Sequence, residues 1–487
     1  MIEAWATPQV YAAEEALMAT LAEGELMARA VDGLAAVTAV RIEDRAAERV
    51  VGLIGTGNNG ADALYALARL SAGGVATAAV TTDRVHDGAL QAARSAGVVL
   101  IDAASPGNTA AEAIGEADIV LDGVLGIGGR PEVPEFARDW VETIPADAYI
   151  IAVDLPTGAD PNGRGGDPGG VFADETVTFS VLKPVHLLPG TETRCGRVTV
   201  VDIGLTLDGD PAVVRLERDD VADRWPVPGP TDHKYTRGVL GVIAGSDDFP
   251  GAGVLTTMAA VCAGVGMVRY VGPRRPSDHV LTAVPEAVHG VGPVQAWVIG
   301  SGLAEDLSRL DPDQRAAIET ALDSDVPVLI DAGGLDLLKE LGLGVRRDRP
   351  TLLTPHAGEC ARLLDVPRAA VEADPIGHAE RLAEQSGATV LIKGAVTVVV
   401  PGSSAAEGAP LLAQADGPPW LATAGTGDVL AGLAGALLAG GLPPAIAGAL
   451  AALVHGVAAD DANPGGPVRA RDVAEQIPRT VARLLRR

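Results

Sequence analysis

The chain has 487 residues, too many for one ordinary hydrophobic core, so two or three domains are expected and the pattern along it favours two. Hydrophobic residues reach 47% with only 3% aromatic, which leaves Ala, Val, Leu and Ile to build cores of the kind found in parallel sheets covered by helices. A formal net charge of −27 argues against a nucleic-acid partner, so an anionic ligand would be held locally by amides, a few cations or a metal.

Cys195, Cys262 and Cys360 are widely spaced without a CxxC pair, which points to a reducing, cytoplasmic setting and no structural zinc. Met1 to Gly24 shows no basic segment before an apolar run, so no signal peptide is expected. The most apolar stretch, Val429 to Ala459, is broken by Pro443-Pro444 and contains His455; it reads as a pair of buried helices, and no membrane partner is expected.

In chain order, Thr7 to Ala47 is alanine-rich and reads as helical. The strand Val50 to Ile54 runs into Gly55-Thr56-Gly57-Asn58-Asn59-Gly60-Ala61-Asp62 and then a helix from Ala63 to Leu70. Glycines here let the backbone approach a pyrophosphate, while Asn58, Asn59 and Asp62 either add oriented polar groups or merely shape a turn.

Strands at 75–81, 98–102, 119–125 and 149–153 follow, the last two leading into turns at Asp122–Arg130 and Asp154–Gly158. In a doubly wound sheet the carboxyl ends of parallel strands share one crevice, so Asn59, Asp122 and Asp154 are expected to form an oxygen cage for a hard cation. Residues 159–170 read as an exposed loop, and 174–182 and 197–203 as edge strands that finish the domain.

On the runs Gly55–Asp62, Asp122–Gly128 and Asp154–Gly158, the first two-fifths of the chain resembles the NAD(P)H-hydrate epimerase domain family. The resemblance implies a Rossmann-like doubly wound sheet with potassium at Asn59, Asp122 and Thr157. It implies substrate at Asn58, Asn59, Gly60, Ala61, Asp62, Gly126, Ile127, Gly128, Gly129, Arg130 and Asp154, with Asp154 as the acid–base group. Ala61 departs from the family's usual Gly, where its methyl is expected to crowd the nucleotide, and Thr157 departs from its Ser.

Between Leu205 and Pro230 the text turns charged and Pro-rich, so domains are expected at 1–215 and 231–487 with a linker at 216–230. His233-Lys234-Tyr235-Thr236-Arg237-Gly238 is a basic cluster that meets either an anionic ligand or the acids of a neighbouring subunit; a homo-oligomer is expected. Strands at 239–244, 296–299, 326–330, 351–354 and 390–392 each end in Gly or polar residues, which places a site above their carboxyl ends. His356 and Glu359 are placed to touch substrate and a hydrated magnesium respectively, or His356 is merely satisfied by local hydrogen bonds, and Lys393 meets either phosphate or solvent.

The turn Gly425-Thr426-Gly427-Asp428 opens a helix of Ala, Leu and Gly, whose free amides and dipole suit a phosphate. Asp428 reads equally as a helix N-cap or as the base for a hydroxyl that attacks phosphorus.

His233–Gly238, Gly245-Ser246, Pro250–Ala252, Thr354–Glu359, Lys393–Thr397 and Ala424–Asp428 together resemble ADP-dependent NAD(P)H-hydrate dehydratase, a ribokinase-like α/β sandwich, over nearly all of 231–487. The resemblance implies substrate at Ala252, Gly302, His356 and Asp428, with nucleotide at Lys393, Gly394, Ala395, Val396, Thr397 and Gly427. It also implies Mg2+, ADP as co-substrate, and Asp428 as the catalytic base. Departures are Asp331-Ala332-Gly333-Gly334-Leu335, where the family prefers Asp-Ala-Asp-Ala-Leu, and Ala424 in place of Gly.

The expectation is therefore a two-domain α/β enzyme that repairs the hydrates NADHX and NADPHX. The first domain exchanges R and S epimers, and the second dehydrates the S form with release of AMP and phosphate. Two other readings stand beside it. One is a kinase of the hydroxymethylpyrimidine or hydroxyethylthiazole type with a non-catalytic front module; the other makes the front domain a binding module without turnover.

Overall fold

The computed structural model describes residues 1–103, 109–303, 307–406 and 408–486. The chain divides into two compact units, Glu3–Val213 and Val214–Arg487, the latter including Met1–Ile2.

In the first unit seven described strands, all parallel, lie in the order Val99–Asp102, Ala76–Thr81, Arg49–Ile54, Ile119–Gly123, Tyr149–Val153, Glu175–Phe179, Arg197–Val201. Val, Ile and Leu on both faces of the central strands are buried. Helix Asn58–Ala72 covers one face with Leu64 and Leu67, while Ile114, Ala137 and Trp140 cover the other. Strand order reverses between Arg49–Ile54 and Ile119–Gly123, and a crevice opens at such a switch point.

Four expectations are corrected here. Residues 7–47 form two helices, Thr7–Met18 and Glu25–Arg45, because Gly24 turns the chain at φ 76°. The helix after the glycine turn starts at Asn58 and not Ala63, since Gly60 lets it settle onto the turn: a Cβ there would lie 2.2 Å from the Gly55 carbonyl oxygen. Residues 159–170 are largely covered, pinned by Asp167, which accepts from the amides of Val133 at 3.0 Å and Gly169 at 2.9 Å. Glu175–Phe179 is buried and paired on both sides, so of the two strands expected at the edge only Arg197–Val201 lies there.

In the second unit, after short edge pieces at residues 2 and 214–215, the described strands run in the order Leu411–Gln414, Thr397–Val400, Thr389–Ile392, Thr351–Leu353, Val328–Ile330, Ala296–Ile299, Val239–Ile243, Met267–Val271, Val288–His289. Pairing is antiparallel on both sides of Thr397–Val400 and parallel from Thr389–Ile392 onward. The switch point lies between Val239–Ile243 and Ala296–Ile299. Helices Pro250–Cys262, Thr426–Ala439, Pro444–Ala462 and Ala470–Leu484 share one apolar core with this sheet.

Small residues set that spacing: a Cβ on Gly432 would lie 2.1 Å from the Thr256 carbonyl oxygen. Among the described residues Pro444–Ala462 is the helix long and apolar enough to cross a membrane, and its Leu450, Leu453 and Val454 are buried in this core. Residues 216–230, expected as a linker, contain helix Asp220–Arg224 and bury Leu216, Val221 and Trp225 in the same core.

Candidate active sites

In the first unit the Gly55 amide donates to the Gly123 carbonyl at 3.0 Å. A Cβ on Gly55 would lie 1.9 Å from the Val124 carbonyl oxygen, so glycine alone lets the two strand ends close up. A cavity of about 420 Å³ opens above them. Asn58, Asn59, Asp62, Gly126, Ile127, Gly128, Gly129 and Asp154 line it, with Tyr11 and Glu14 reaching in from helix Thr7–Met18.

Gly60, Ala61 and Arg130, expected at the substrate, lie outside that lining. The Ala61 methyl, 1% exposed, packs into the apolar core, so it does not crowd the cavity. Arg130 is exposed.

The three positions expected at potassium are linked by hydrogen bonds. Thr157 donates to the buried Asp122 carboxylate from Oγ1 at 2.6 Å and from its amide at 2.7 Å. The Leu125 amide donates to Thr157 Oγ1 at 3.3 Å, and the Asn59 side-chain amide donates to the carbonyls of Leu125 at 3.2 Å and Val153 at 2.5 Å. Burial pushes the Asp122 carboxyl up, because the donors facing it, from Thr157 and Val124, are neutral and only partly offset the lost hydration. The buried Asp122 carboxyl and the Thr157 hydroxyl, with no basic partner among the described residues, supply oxygens that fit a hard cation.

Asp154 stands at the end of its strand with φ 68°. Its Oδ1 accepts from Lys183 Nζ at 2.6 Å and Thr178 Oγ1 at 2.8 Å. His186 Nδ1 accepts from the Lys183 amide at 3.0 Å, so Nε2 carries the ring proton and donates to the Asp154 carbonyl at 2.8 Å. Burial raises the Asp154 carboxyl, but Lys183, with His186 and Thr178, more than offsets this and holds it below its ordinary value. Burial also pushes His186 down to about 4.

Asp62, three positions after Asn59 on its helix, behaves oppositely. Its Oδ1 is buried without a hydrogen-bond partner among the described residues, and burial together with the charges of Asp154 and Glu14 pushes it up to about 8.

At the switch point of the second unit the Gly245 amide donates to the Ser301 carbonyl at 2.7 Å. Gly302 takes φ 70° and abuts Ala252, whose Cβ would lie 2.9 Å from a Cβ on Gly302. Asp428 is in the first turn of helix Thr426–Ala439, and the N-cap is Gly425 at φ 90°, so Asp428 is not the cap. Burial raises its carboxyl to about 6; Asp331 and Glu359 add to the rise while the Ser301 hydroxyl and Lys393 oppose it.

Lys393 is half-buried at the cavity edge and held by two acids. Its Nζ sits 2.8 Å from Asp331 Oδ1 and 3.7 Å from Glu359 Oε2, and Thr354 Oγ1 donates to the same Asp331 oxygen at 2.9 Å. His356 and Glu359 form a capping box on helix Ala357–Leu364. The His356 Nδ1 accepts from the amides of Gly358 at 3.0 Å and Glu359 at 3.2 Å, and Glu359 Oε2 accepts from the His356 amide at 2.8 Å.

A cavity of about 730 Å³ adjoins this cluster, lined by His356, Lys393, Gly394, Ala395, Thr397 and Gly427 and by His455 at its inner wall. Val396 is buried and turned away, because it alternates with its neighbours along the strand approach. Ala252, Gly302 and Asp428 lie outside this lining, and the charge of Lys393 links Asp428 to it. Residues His233 to Arg237 are exposed and line neither cavity. At Gly333 a Cβ would lie 3.0 Å from the Leu303 carbonyl oxygen, so the absent second acid relieves a tight approach there.

Sequence reasoning missed Lys183, Thr178, His186, Glu14 and Tyr11 around the first cavity and used His455 only as an argument against a membrane span. The available sign was a lone lysine and histidine within Val181–Leu188, otherwise apolar.

A family profile described as NAD(P)H-hydrate dehydratase matches residues 240–479, and one described as YjeF-related protein N-terminus matches residues 23–185. The bifunctional NAD(P)H-hydrate repair enzyme Nnr of Mycobacterium leprae is 44% identical over 93% of this chain and 93% of its own. That of Escherichia coli K12 is 34% identical over 70% of this chain and 67% of its own. An ADP/ATP-dependent NAD(P)H-hydrate dehydratase from Bacillus subtilis, co-crystallised with ATP/Mg2+, matches 55% of this chain and 97% of its own at TM-score 0.48 and 26% identity.

Proposed function

The chain belongs to the bifunctional NAD(P)H-hydrate repair family, and from that premise we propose how its two units divide the work. It is an NAD(P)H-hydrate epimerase and dehydratase in one polypeptide, and the kinase reading is not favoured.

In the first unit the cavity above the switch point receives the hydrate, and Asp154 is the acid–base group whose ionised form Lys183 preserves. Asn59, Asp122 and Thr157 hold potassium, which when bound compensates the buried Asp122 charge and orients the turn around it.

In the second unit ADP occupies the larger cavity along Lys393–Thr397, with its terminal phosphate on the amides around Gly427 at the helix N-terminus. The C6 hydroxyl of the S hydrate lies at Asp428, between Ala252 and Gly302 on one side and Lys393 on the other. Asp428 takes the hydroxyl proton, the oxygen bonds to the terminal phosphorus and AMP leaves. Phosphate then departs from C6 as the ring nitrogen donates its electron pair, and loss of a C5 proton restores the dihydropyridine. Mg2+ would accompany the nucleotide's phosphates. The three free cysteines fit a reducing cytoplasm.

The observation that carries the dehydratase reading is the Asp428 carboxyl. Burial raises it to about 6 against the opposing charge of Lys393, and it stands in the first helical turn beside Thr426 and Gly427, which line the cavity, as suits a base working near neutral pH. In the full chain D428N is expected to slow ADP-dependent recovery of NADH from the S hydrate by about 100-fold or more, with R/S exchange intact. Undiminished recovery would remove the base assignment.

A further inference from the structure

Resting on the epimerase reading of the first unit, we propose that Asp62 is the general acid of epimerisation, working against Asp154 as the base. Inverting C6 with the ring intact requires that carbon to become planar, so its C–O bond must break. Hydroxide leaves poorly, so a proton has to reach the oxygen; a second group must accept a proton from water returning to the opposite face.

One cavity holds a carboxyl suited to each task. Asp62 approaches from helix Asn58–Ala72 and Asp154 from the end of strand Tyr149–Val153, and both line the 420 Å³ space. The Asp154 Oδ1 is committed to Lys183 and Thr178, which keeps that group ionised. Asp62 is 7% exposed, and its Oδ1 has no partner among the described residues, an arrangement that suits a neutral acid awaiting a ligand.

The charges that act on Asp62 are those of Asp154 and, from helix Thr7–Met18, Glu14; both are negative. The ammonium of Lys183 is bound to Asp154. Tyr11, in the same lining, has its phenol pushed above its ordinary value by burial and stays protonated near neutral pH. Burial with two negative neighbours puts Asp62 at about 8, while Asp154 is held low. Two titratable groups whose surroundings drive them apart are the mark of an acid and base pair.

The step balances. Asp62 gives its proton to the C6 hydroxyl, the C6–O bond breaks as the N1 electron pair forms N1=C6, and water leaves. Water adds to the other face of C6, Asp154 takes one of its protons, and the electron pair returns to N1. One proton has passed from Asp62 to Asp154, and exchange with solvent resets both.

The test uses the full chain with potassium and without ADP, so that dehydration is silent, on R hydrate in water enriched in oxygen-18. Wild-type protein should produce S hydrate carrying the heavy oxygen at C6, with a rate that falls as pH rises through about 8, where Asp62 loses its proton. D62N should slow epimer exchange and oxygen uptake together by about 100-fold or more, through kcat with KM little changed, and its residual rate should lack the alkaline fall. D62E, which keeps a carboxyl, should recover part of the rate. Wild-type kcat in D62N, S hydrate without heavy oxygen, or a wild-type rate that is flat across the alkaline range would each overturn the assignment; the last does not depend on how the variant folds. Wild-type protein that exchanges no epimers would instead overturn the underlying reading of the unit.

Discussion

Lys183 is 2% exposed, and its ammonium is kept buried by Asp154, by Thr178 and by the Phe179 carbonyl at 3.5 Å. Removing the cation in K183M leaves a buried carboxylate without its partner, a change that costs about 3–5 kcal/mol in comparable sites. The thermal transition of the first unit should therefore fall in calorimetry. The pH dependence has a definite sign: burial alone raises Asp154 and Lys183 lowers it, so losing Lys183 should move the acidic limb of epimerase activity to higher pH. An unchanged limb would mean that Lys183 only fills space. Asp62, Asp154 and Asp428 were legible in the sequence because each is an acid beside a glycine turn at a strand or helix end. The groups that set their charge states were not. Lys183 and Thr178 reach Asp154 only because strand Glu175–Phe179 pairs in register with Tyr149–Val153, and that pairing is a property of the sheet.

Helix Thr426–Ala439 is built from Ala, Leu and Gly because it must approach two neighbours closely. Gly432 faces the Thr256 carbonyl of helix Pro250–Cys262, and Gly435 faces Val298 in strand Ala296–Ile299. G432A gains about 1 kcal/mol of helix propensity, yet the added methyl would have to displace backbone, and overpacking of this kind costs about 1–3 kcal/mol. The second unit should lose thermal stability. Dehydration should weaken, because Asp428 lies one turn before Gly432 on the same helix, while epimer exchange stays at the wild-type rate. A variant with raised Tm and full dehydration would show that this contact has slack. Strand ends and glycine turns were legible at this scale; the start of the helix after Gly57 was not. Gly60 reads as a turn residue from its type, whereas its role is to let the helix begin at Asn58 and rest on Gly55. Leu216, Val221 and Trp225 were likewise hidden in charged, Pro-rich text that suggests a linker, although their side chains belong to the core.

Across the whole molecule the same solution appears twice. Parallel strands reverse their order, a glycine amide bonds across the reversal at Gly55 and again at Gly245, and an acid stands at the edge of the crevice. With 64 acidic and 37 basic side chains the chain has few cations to devote to phosphate. We propose that amides at helix N-termini and bound metal ions carry that task, and that each unit holds one complete site. The most direct test follows NADH absorbance from R hydrate with ADP, Mg2+ and potassium, comparing wild-type protein, D154N, D428N and an equal mixture of the two variants. Wild-type protein should run to completion, D154N should show only the slow uncatalysed supply of S hydrate, D428N should form S hydrate without NADH, and the mixture should restore complete repair. Failure of the mixture to exceed either variant alone, or full repair by D428N alone, would contradict one complete site per unit.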